Sequence, residues 1–333
     1  MAMRGSAIVA SAALVSGLAV TQPNAQAASA ADVEAYPVRP VRMVLASGPG
    51  SAPDVIGRLL GNKLSEIWGR PIVVDNRPGA TGLIAVETLA KSAPDGYTIG
   101  MFTMTNLIAM LMYQKYMLAT ELGPVTLVGT TPFAIVVNAS TPVKNIAEWI
   151  AYAKARPGQL RYGSTGMYGS LHMCMEEFNA INGIKMTHVP YKSAVPVMTD
   201  LIAGEIHVFC PAVPMLPPYM QSGRIRVLGE TYNEPTKLMP DVPPVSATVP
   251  GFSLYGWYGM HVPLNTPPAI VRKINAELVK ALKDPKLAKL MLVAGAEAVG
   301  STPEEYKAFL DKDSNHWTKM LKQSGATLGK PRP

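Results

Sequence analysis

Two short loops rich in glycine and serine carry the residue types that bind small anions. The first loop spans residues 47–54 and the second spans residues 163–170. Each loop lies between a β-branched run and a helical pattern, so it places the unpaired N–H groups of a helix N-terminus beside small hydroxyls. This arrangement favours an anion such as a phosphate or a carboxylate. Two loops of this kind predict a clamp that holds the anion from both sides.

The elements that position these loops form an alternating series of short strands and helices. The pattern predicts strands over 41–46, 71–74 and 97–101, with helices over 55–67 and 85–90 between them. This βαβ series predicts a parallel sheet. Further along the chain, the pattern predicts strands over 134–137, 160–162, 185–189, 206–209 and 224–228, and helices over 146–155, 171–181 and 195–203.

Two amphipathic helices are predicted near the C-terminus. Thr266 is the predicted N-cap of the first helix, with Pro267 and Pro268 at its first positions. The second helix begins at a capping box formed by Thr302 and Glu305. We expect the apolar faces of both helices to pack into the core.

The N-terminal residues indicate an exported protein. Arg4 precedes an uncharged stretch over residues 5–20, which is followed by small and polar residues. This pattern is typical of a secretory signal peptide, here predicted over residues 1–30 and cleaved near Ala27 or Ala30. A membrane anchor is the alternative, but the apolar run is shorter than the roughly 18 to 20 residues that a spanning helix needs. We therefore expect a periplasmic protein.

Length and composition bound the possible partners. The chain has 333 residues, of which 48% are hydrophobic and 16% are charged. A chain of this size usually forms more than one domain. The net charge of +7 comes from scattered Lys and Arg, without the basic run that follows a nucleic-acid backbone. We expect no nucleic-acid partner, and only a mild attraction for small anions.

The sequence contains no positive signal for catalysis or a cofactor. The second loop lacks the spacing of a nucleophile elbow, and neither loop matches a nucleotide-binding motif. His172 follows Ser170 closely enough to be considered as its base. Its place on the first turn of a predicted helix instead favours a capping or packing role.

The cysteines and histidines indicate no metal site. Export would permit a disulfide between Cys174 and Cys210. The apolar context of both residues instead favours free cysteines that are buried as small hydrophobic side chains. His172 and Cys174 are too close in sequence for a usual ligand pair, and His207 with Cys210 lacks a second pair.

Segments along almost the whole chain after residue 35 carry a family resemblance. No single segment is specific, but together and in this order they are. The chain resembles the Bug-type extracytoplasmic solute receptors, the substrate-binding components of tripartite tricarboxylate transporters. The matching segments are Tyr36-Pro37, residues 39–42, Pro49-Gly50 with Asp54, residues 74–80, 93–98, 124–128, 157–164, 188–192 and 250–252, Trp257 with Gly259, and residues 266–268.

The resemblance implies an α/β fold of the two-lobed, type II periplasmic binding protein or Venus-flytrap kind, with two crossing segments between the lobes. It places residues 36–133 and 251–333 in lobe 1 and residues 134–250 in lobe 2. It implies a monomeric receptor that is not an enzyme, needs no cofactor, and captures a small dicarboxylate or aromatic carboxylate. Membrane permease subunits are the implied partners for uptake. A periplasmic sensor subunit, or a hydrolase or isomerase on the same scaffold, are the alternatives.

The resemblance also implies where the ligand binds. In the family, the first loop holds one carboxylate through backbone N–H groups and water, and the second loop donates hydrogen bonds to the other end. The predicted ligand-binding residues are Ser47, Gly50, Ser51, Asp54, Met104, Ser164, Thr165, Met167, Tyr168, Gly169, Ser170 and Pro211.

Three departures from the family pattern bear on the ligand. Ser47 stands where many relatives have an aromatic residue, and Met167-Tyr168 adds bulk to the second loop. Pro211 stands where relatives often have an aspartate that receives a ligand amine. An amino-acid ligand is therefore disfavoured, and we hypothesise a carboxylate with an apolar or aromatic body. The alternative is that these changes only repack the contact between the lobes.

Overall fold

The computed structural model describes residues 30–114, 118, 120–324 and 328–329. Residues 1–29 of the predicted signal peptide lie outside the described residues.

A mixed six-stranded sheet forms the first half of the fold. In this sheet the strand order is β11-β4-β10-β3-β1-β2. β1 pairs in parallel with β2 and β3, whereas β10 runs antiparallel to β3 and β4. Its strands are β1 (Val41–Leu45), β2 (Ile72–Asn76), β3 (Thr98–Thr103), β4 (Leu122–Pro132), β10 (Tyr255–Pro263) and β11 (Glu297–Ala298).

A five-stranded sheet forms the second half, with the strand order β7-β6-β8-β5-β9. β6 pairs in parallel with β7 and β8, and β5 runs antiparallel to β8 and β9. Its strands are β5 (Ala134–Asn138), β6 (Arg161–Ser164), β7 (Thr187–Pro190), β8 (Val208–Phe209) and β9 (Ile225–Glu230).

The chain crosses between the sheets twice, and the two crossing segments are hydrogen-bonded to each other. The first crossing is at Phe133, between β4 and β5, and the second extends from Thr231 to Leu254, between β9 and β10. The Thr231 N–H donates to the Phe133 carbonyl at 2.9 Å, and the Phe133 N–H donates to Thr231 Oγ1 at 3.2 Å. These bonds fix the two connections side by side.

Helices cover both faces of the first sheet and surround the second. One hydrophobic core lies between the first sheet and α2, α9 and α10, while a larger core includes α3, α4, α11 and the interior of the second sheet. In the part of the chain that the structure describes, no helix is long and apolar enough to cross a membrane. The helices are α1 (Ala30–Ala35), α2 (Ala52–Trp68), α3 (Leu83–Ala90), α4 (Met104–Tyr113), α5 (Ile146–Lys154), α6 (Ser170–Asn182), α7 (Ala194–Ala203), α8 (Pro217–Gln221), α9 (Pro268–Leu282), α10 (Pro285–Val293) and α11 (Pro303–Gln323).

The sequence patterns located most elements but missed several. The predicted βαβ series and the capping box at Thr302 are confirmed. The prediction that Thr266 caps α9 is wrong: Pro267 occupies the N-cap position, and Thr266 Oγ1 donates to the Pro263 carbonyl at 2.7 Å. The patterns gave no helix at α4 and no strand at β10. The prediction of a parallel sheet is correct only for β1, β2 and β3, because β10 runs antiparallel to β3 and β4 and makes the sheet mixed.

The prediction of two free cysteines is wrong, because Cys174 of α6 forms a disulfide with Cys210, which follows β8. The Cα atoms lie 6.6 Å apart, and both side chains are fully buried. The apolar surroundings were read correctly, but strand pairing brings the residue after β8 against the first turns of α6, and sequence spacing does not show this approach. The disulfide joins α6 to the segment after β8.

We expect the disulfide to contribute about 2–5 kcal/mol to stability, because it closes a long loop in the unfolded chain. A Cys174→Ala/Cys210→Ala variant should lose this amount in urea denaturation monitored by circular dichroism. Reductant should destabilise the wild-type protein and leave the double variant unchanged. Two reactive thiols in the urea-unfolded wild-type protein, without reductant, would contradict the assignment.

Candidate functional site

Three helices begin at one cleft between the two sheets. The cleft encloses a cavity of 460 Å³. Its walls include the N-terminal ends of α2 at Ser51, of α4 at Thr103 and Thr105, and of α6 at Ser170. Each helix N-terminus carries a partial positive charge and unpaired N–H groups. Their convergence creates a region that attracts an anion, although none of the described residues that line the cleft is cationic.

The N-terminus of α6 has the most available donors of the three. Its N-cap is Gly169, which has no side chain to accept a bond from the first turn. By contrast, the Ser51 hydroxyl caps α2, and Thr103 with Asn106 forms a capping box on α4. The Thr105 hydroxyl donates to Ser170 Oγ at 3.3 Å, so the ends of α4 and α6 touch across the cleft.

The first loop is shaped by a buried carboxylate that does not face the cleft. Asp54 is 3% exposed and accepts bonds from the Gly50 N–H at 2.9 Å, from Arg58 Nε at 3.0 Å and from Asn76 Nδ2 at 2.9 Å. Burial opposes the charge of Asp54, but the bonds from Arg58, Gly50 and Asn76 hold its pKa below the usual range. Asn76 also donates to the Ser47 carbonyl at 2.9 Å. Asp54 and Gly50 therefore stabilise the conformation of the loop without lining the cleft.

The second loop rests on a buried serine and on two histidines whose rings are in contact at a tilted angle. Ser164 is fully buried, with its hydroxyl oxygen 2.6 Å from His188 Nε2. The Sδ atom of Met167 lies 3.1 Å from His188 Nδ1. The Tyr168 N–H donates to His172 Nδ1 at 3.0 Å and holds Tyr168 at a left-handed φ of 59°. Tyr168 precedes the N-cap Gly169, so His172 stabilises the loop and does not cap the first turn of α6.

The floor of the cleft comes from the crossing strands. It consists of Trp257 and Tyr258 on β10, Thr131 on β4 and Phe133 between the sheets. The Thr131 hydroxyl donates to the Gly295 carbonyl at 2.8 Å and lies 3.3 Å from the Tyr258 hydroxyl. Burial raises the pKa of Tyr258, so its hydroxyl stays protonated. The floor thus offers apolar rings and neutral hydroxyls.

A side chamber of 300 Å³ adjoins the cleft and shares Ser51, Pro53, Thr103 and Thr105 with it. Its far wall is the turn from Gly79 to Gly82. A Cβ atom at Gly82 would lie 2.1 Å from Asn106 Nδ2, so only glycine lets this turn reach α4. The lining residues are Ala46, Ser47, Ser51, Pro53, Gly79, Thr81, Gly82, Met101, Thr103, Thr105 and Asn106.

The structure brings about half of the predicted ligand-binding residues to the cleft. Those that line it or its side chamber are Ser51, Met104, Thr165, Ser170 and, in the chamber, Ser47, with Gly169 at the adjoining N-cap. The residues that do not line these cavities are Gly50, Asp54, Ser164, Met167, Tyr168 and Pro211. The Pro211 carbonyl accepts from the Ala134 N–H at 3.0 Å, and the next residue, Ala212, reaches the cleft instead.

Residues of the cleft floor, and those at the N-terminal end of α4 other than Met104, were not predicted from the sequence. Thr103 and Thr105 follow a predicted strand and precede a long apolar run, and this pattern was a usable helix-start signal. Trp257 lies within the family resemblance, but its place on a crossing strand depends on the pairing of β10 with β4. Thr131 and Tyr258 gave no signal.

A cluster of ionisable groups lies behind the floor. Trp257 donates its indole N–H to Asp313 Oδ2 of α11 at 2.8 Å. One turn further on, His316 Nε2 lies 3.1 Å from Glu177 Oε2 of α6, so this pair links helices that pack on different sheets. Burial raises the pKa of Asp313 to about 6, and the bond to Glu177 raises the pKa of His316. This cluster borders a second cavity of 310 Å³, which shares Met104 with the cleft.

The raised pKa of Asp313 predicts a pH-dependent stability. The unfolded carboxyl has a pKa near 3.8 and the folded one about 6, so the folded state loses stability as the pH rises from 4 to 6. An Asp313→Asn variant keeps an acceptor for Trp257 without the buried charge. It should exceed the wild-type free energy of unfolding by about 2 kcal/mol above pH 7 and by little at pH 4.

Chemical denaturation between pH 4 and pH 8 measures this difference. Asp311→Asn is the matched control, because Asp311 lies on the same helix in an exposed pair with Lys307. Its effect should stay within about 0.5 kcal/mol at every pH. A gain for Asp313→Asn that does not change with pH would refute the proposed titration.

Across the described parts of the chain, no group of three or more His, Cys, Asp or Glu side chains is arranged to hold a metal ion.

Comparison with known proteins agrees with this geometry. Residues 56–326 match the TctC model, described as the tripartite tricarboxylate transporter family receptor. The chain belongs to this family. Its family members and solved neighbours are solute-binding receptors and not enzymes. Receptors of this family are periplasmic.

Individual relatives confirm the Bug-type resemblance. Protein BugT of Bordetella pertussis is 28% identical over 306 residues, which cover 90% of this chain and 94% of BugT. A UPF0065 protein from the tcbD-tcbE intergenic region of Pseudomonas sp. strain P51 is 30% identical over 293 residues, which cover 87% of each chain. The solved structure of R. palustris Rpa4515 with adipate is 31% identical, with a TM-score of 0.75, and the match covers 87% of this chain and 98% of that one.

Proposed function

We propose that this receptor captures a small organic carboxylate in the cleft between its two sheets and delivers it to the membrane subunits of a tripartite transporter. In this proposal, residues 36–133 with 251–333 and residues 134–250 form the two lobes of the clamp. The protein acts as a monomer in the periplasm. The related R. palustris protein, solved with adipate, supports the carboxylate class.

The observation that carries the proposal is the meeting of three helix N-termini in a cleft without charged side chains. N–H groups and helix dipoles stabilise a carboxylate without a fixed counter-charge. A phosphate or sulfate group carries the same sign, but the apolar floor of Phe133 and Trp257 favours a ligand with a carbon body. Neutral donors also allow release when the cleft opens, because no ion pair must be broken.

A thermal-shift screen followed by calorimetry tests the carboxylate class. The panel contains succinate, glutarate, adipate, butyrate, benzoate, 4-hydroxybenzoate and cyclohexanecarboxylate, with free amino acids, phosphate and sulfate as comparators. A ligand that binds only the folded state raises the melting temperature. We expect at least one carboxylate to do so; tight binding of a free amino acid, with none of the carboxylates bound, would overturn the proposal.

Ser170→Asp should abolish carboxylate binding, because it places a negative charge at the open N-terminus of α6. We expect at least a 100-fold loss of affinity for the best carboxylate of the panel, measured by calorimetry. The Ser170→Asn variant should lose much less affinity, because asparagine matches aspartate in size but carries no charge. An aspartate in the first turn stabilises a helix, so the melting temperature of the ligand-free variant should not fall. Equal losses for the two variants would argue against an anion at this position.

A further inference from the structure

The side chamber is continuous with the cleft. Four residues, Ser51, Pro53, Thr103 and Thr105, line both cavities. A ligand held at the ends of α2 and α6 can therefore extend past the first loop into the chamber. The cleft and the chamber together therefore offer a ligand more space than the cleft alone.

The side chains of the chamber offer few hydrogen-bond donors to a second carboxylate. The Thr103 hydroxyl donates to Asn106 Oδ1 at 3.1 Å, and Asn106 Nδ2 donates to the Thr81 carbonyl at 3.0 Å. The Ser51 hydroxyl donates to the Gly48 carbonyl at 2.7 Å. No charged side chain lines the chamber, and the capping box occupies the end of α4 on this side. A buried carboxylate without such donors would be unfavourable.

The walls and size of the chamber suit an uncharged ring. Ala46, Pro53 and Met101 contribute apolar surface. The volume is 300 Å³, whereas an apolar cavity of about 150 Å³ is sufficient for benzene. The chamber therefore has room for a six-membered ring with a small substituent.

Ser47 contributes a small side chain to the wall of the chamber. Its side-chain oxygen is buried and has no hydrogen-bond partner, although the residue lines the chamber. A small side chain at this position keeps the chamber open. Rotation of the hydroxyl toward a polar substituent on the ring would give it a partner.

From these observations, and on the basis of the proposed function, we infer that the ligand is a monocarboxylate with an uncharged, ring-sized body. The carboxylate lies at the N-termini of α2 and α6, and the ring occupies the side chamber beside Ser47. Ser47 thereby determines which carboxylates bind. Open-chain dicarboxylates are the disfavoured class, because their second charge would enter a chamber with few donors.

Calorimetry on the full mature protein tests this inference. The ring acids are benzoate, 4-hydroxybenzoate and cyclohexanecarboxylate, and the open-chain acids are adipate and butyrate. At least one ring acid should bind ten-fold or more tightly than both open-chain acids. If adipate binds as tightly as every ring acid, the inference is overturned while the proposed function stands. If no carboxylate in the panel binds, the proposed function itself fails.

Variants at Ser47 test the position of the ring. Ser47→Phe and Ser47→Leu fill the chamber and should weaken ring-acid binding at least ten-fold. Ser47→Ala, which keeps the space, should change benzoate binding less than three-fold. Circular dichroism melts establish that each variant is folded, and the smaller Leu substitution serves if Phe is not tolerated. Unchanged ring-acid affinity in a folded filling variant would overturn the inference.

Discussion

The structure depends on the meeting of three helix N-termini, those of α2, α4 and α6, at one cleft. Each helix follows a strand whose end lies at this cleft, and α6 comes from the opposite sheet to α2 and α4. Because the helix ends supply partial positive charge, the cleft needs no lysine or arginine. It does need small residues, since bulky side chains would separate a ligand from the N–H groups. The glycines and serines of the two loops meet this requirement.

The proposed anion site must keep other negative charges away. The contacts that stabilise the first loop show how a nearby carboxylate is kept out of the cleft. Asp54 lies in the first turn of α2 but directs its carboxylate toward Arg58, Asn76 and the Gly50 N–H. The carboxylate that shapes the loop is therefore neutralised by these groups and does not line the cleft. On the second loop, the pair of Ser164 and His188 takes the equivalent supporting place. Both supports use polar groups, yet neither presents a carboxylate to the ligand.

The sequence was informative where a signal is local. Glycine-rich loops between strand and helix patterns located the ends of α2 and α6, and the capping box located the start of α11. Asp54 and Ser164 were predicted to bind the ligand because residue type does not reveal which way a side chain points. Both are bonded to neighbours in their own loop or helix and to one residue of another strand, Asn76 for Asp54 and His188 for Ser164. The contribution of Trp257, and the bond between Cys174 and Cys210, depend on strand pairing over long separations. Such contacts leave no periodic pattern in the chain.

The position of α6 is fixed by contacts that do not involve a ligand. The disulfide joins α6 to the residue before Pro211, whose carbonyl is bonded to the first residue of β5. The pair of His316 and Glu177 joins α6 to α11, and α11 in turn holds Trp257 of the floor through Asp313. The open N-terminus of α6 and the floor are therefore connected through protein contacts. Neutral amides and hydroxyls at such a position can hold a carboxylate without a buried ion pair and its desolvation penalty.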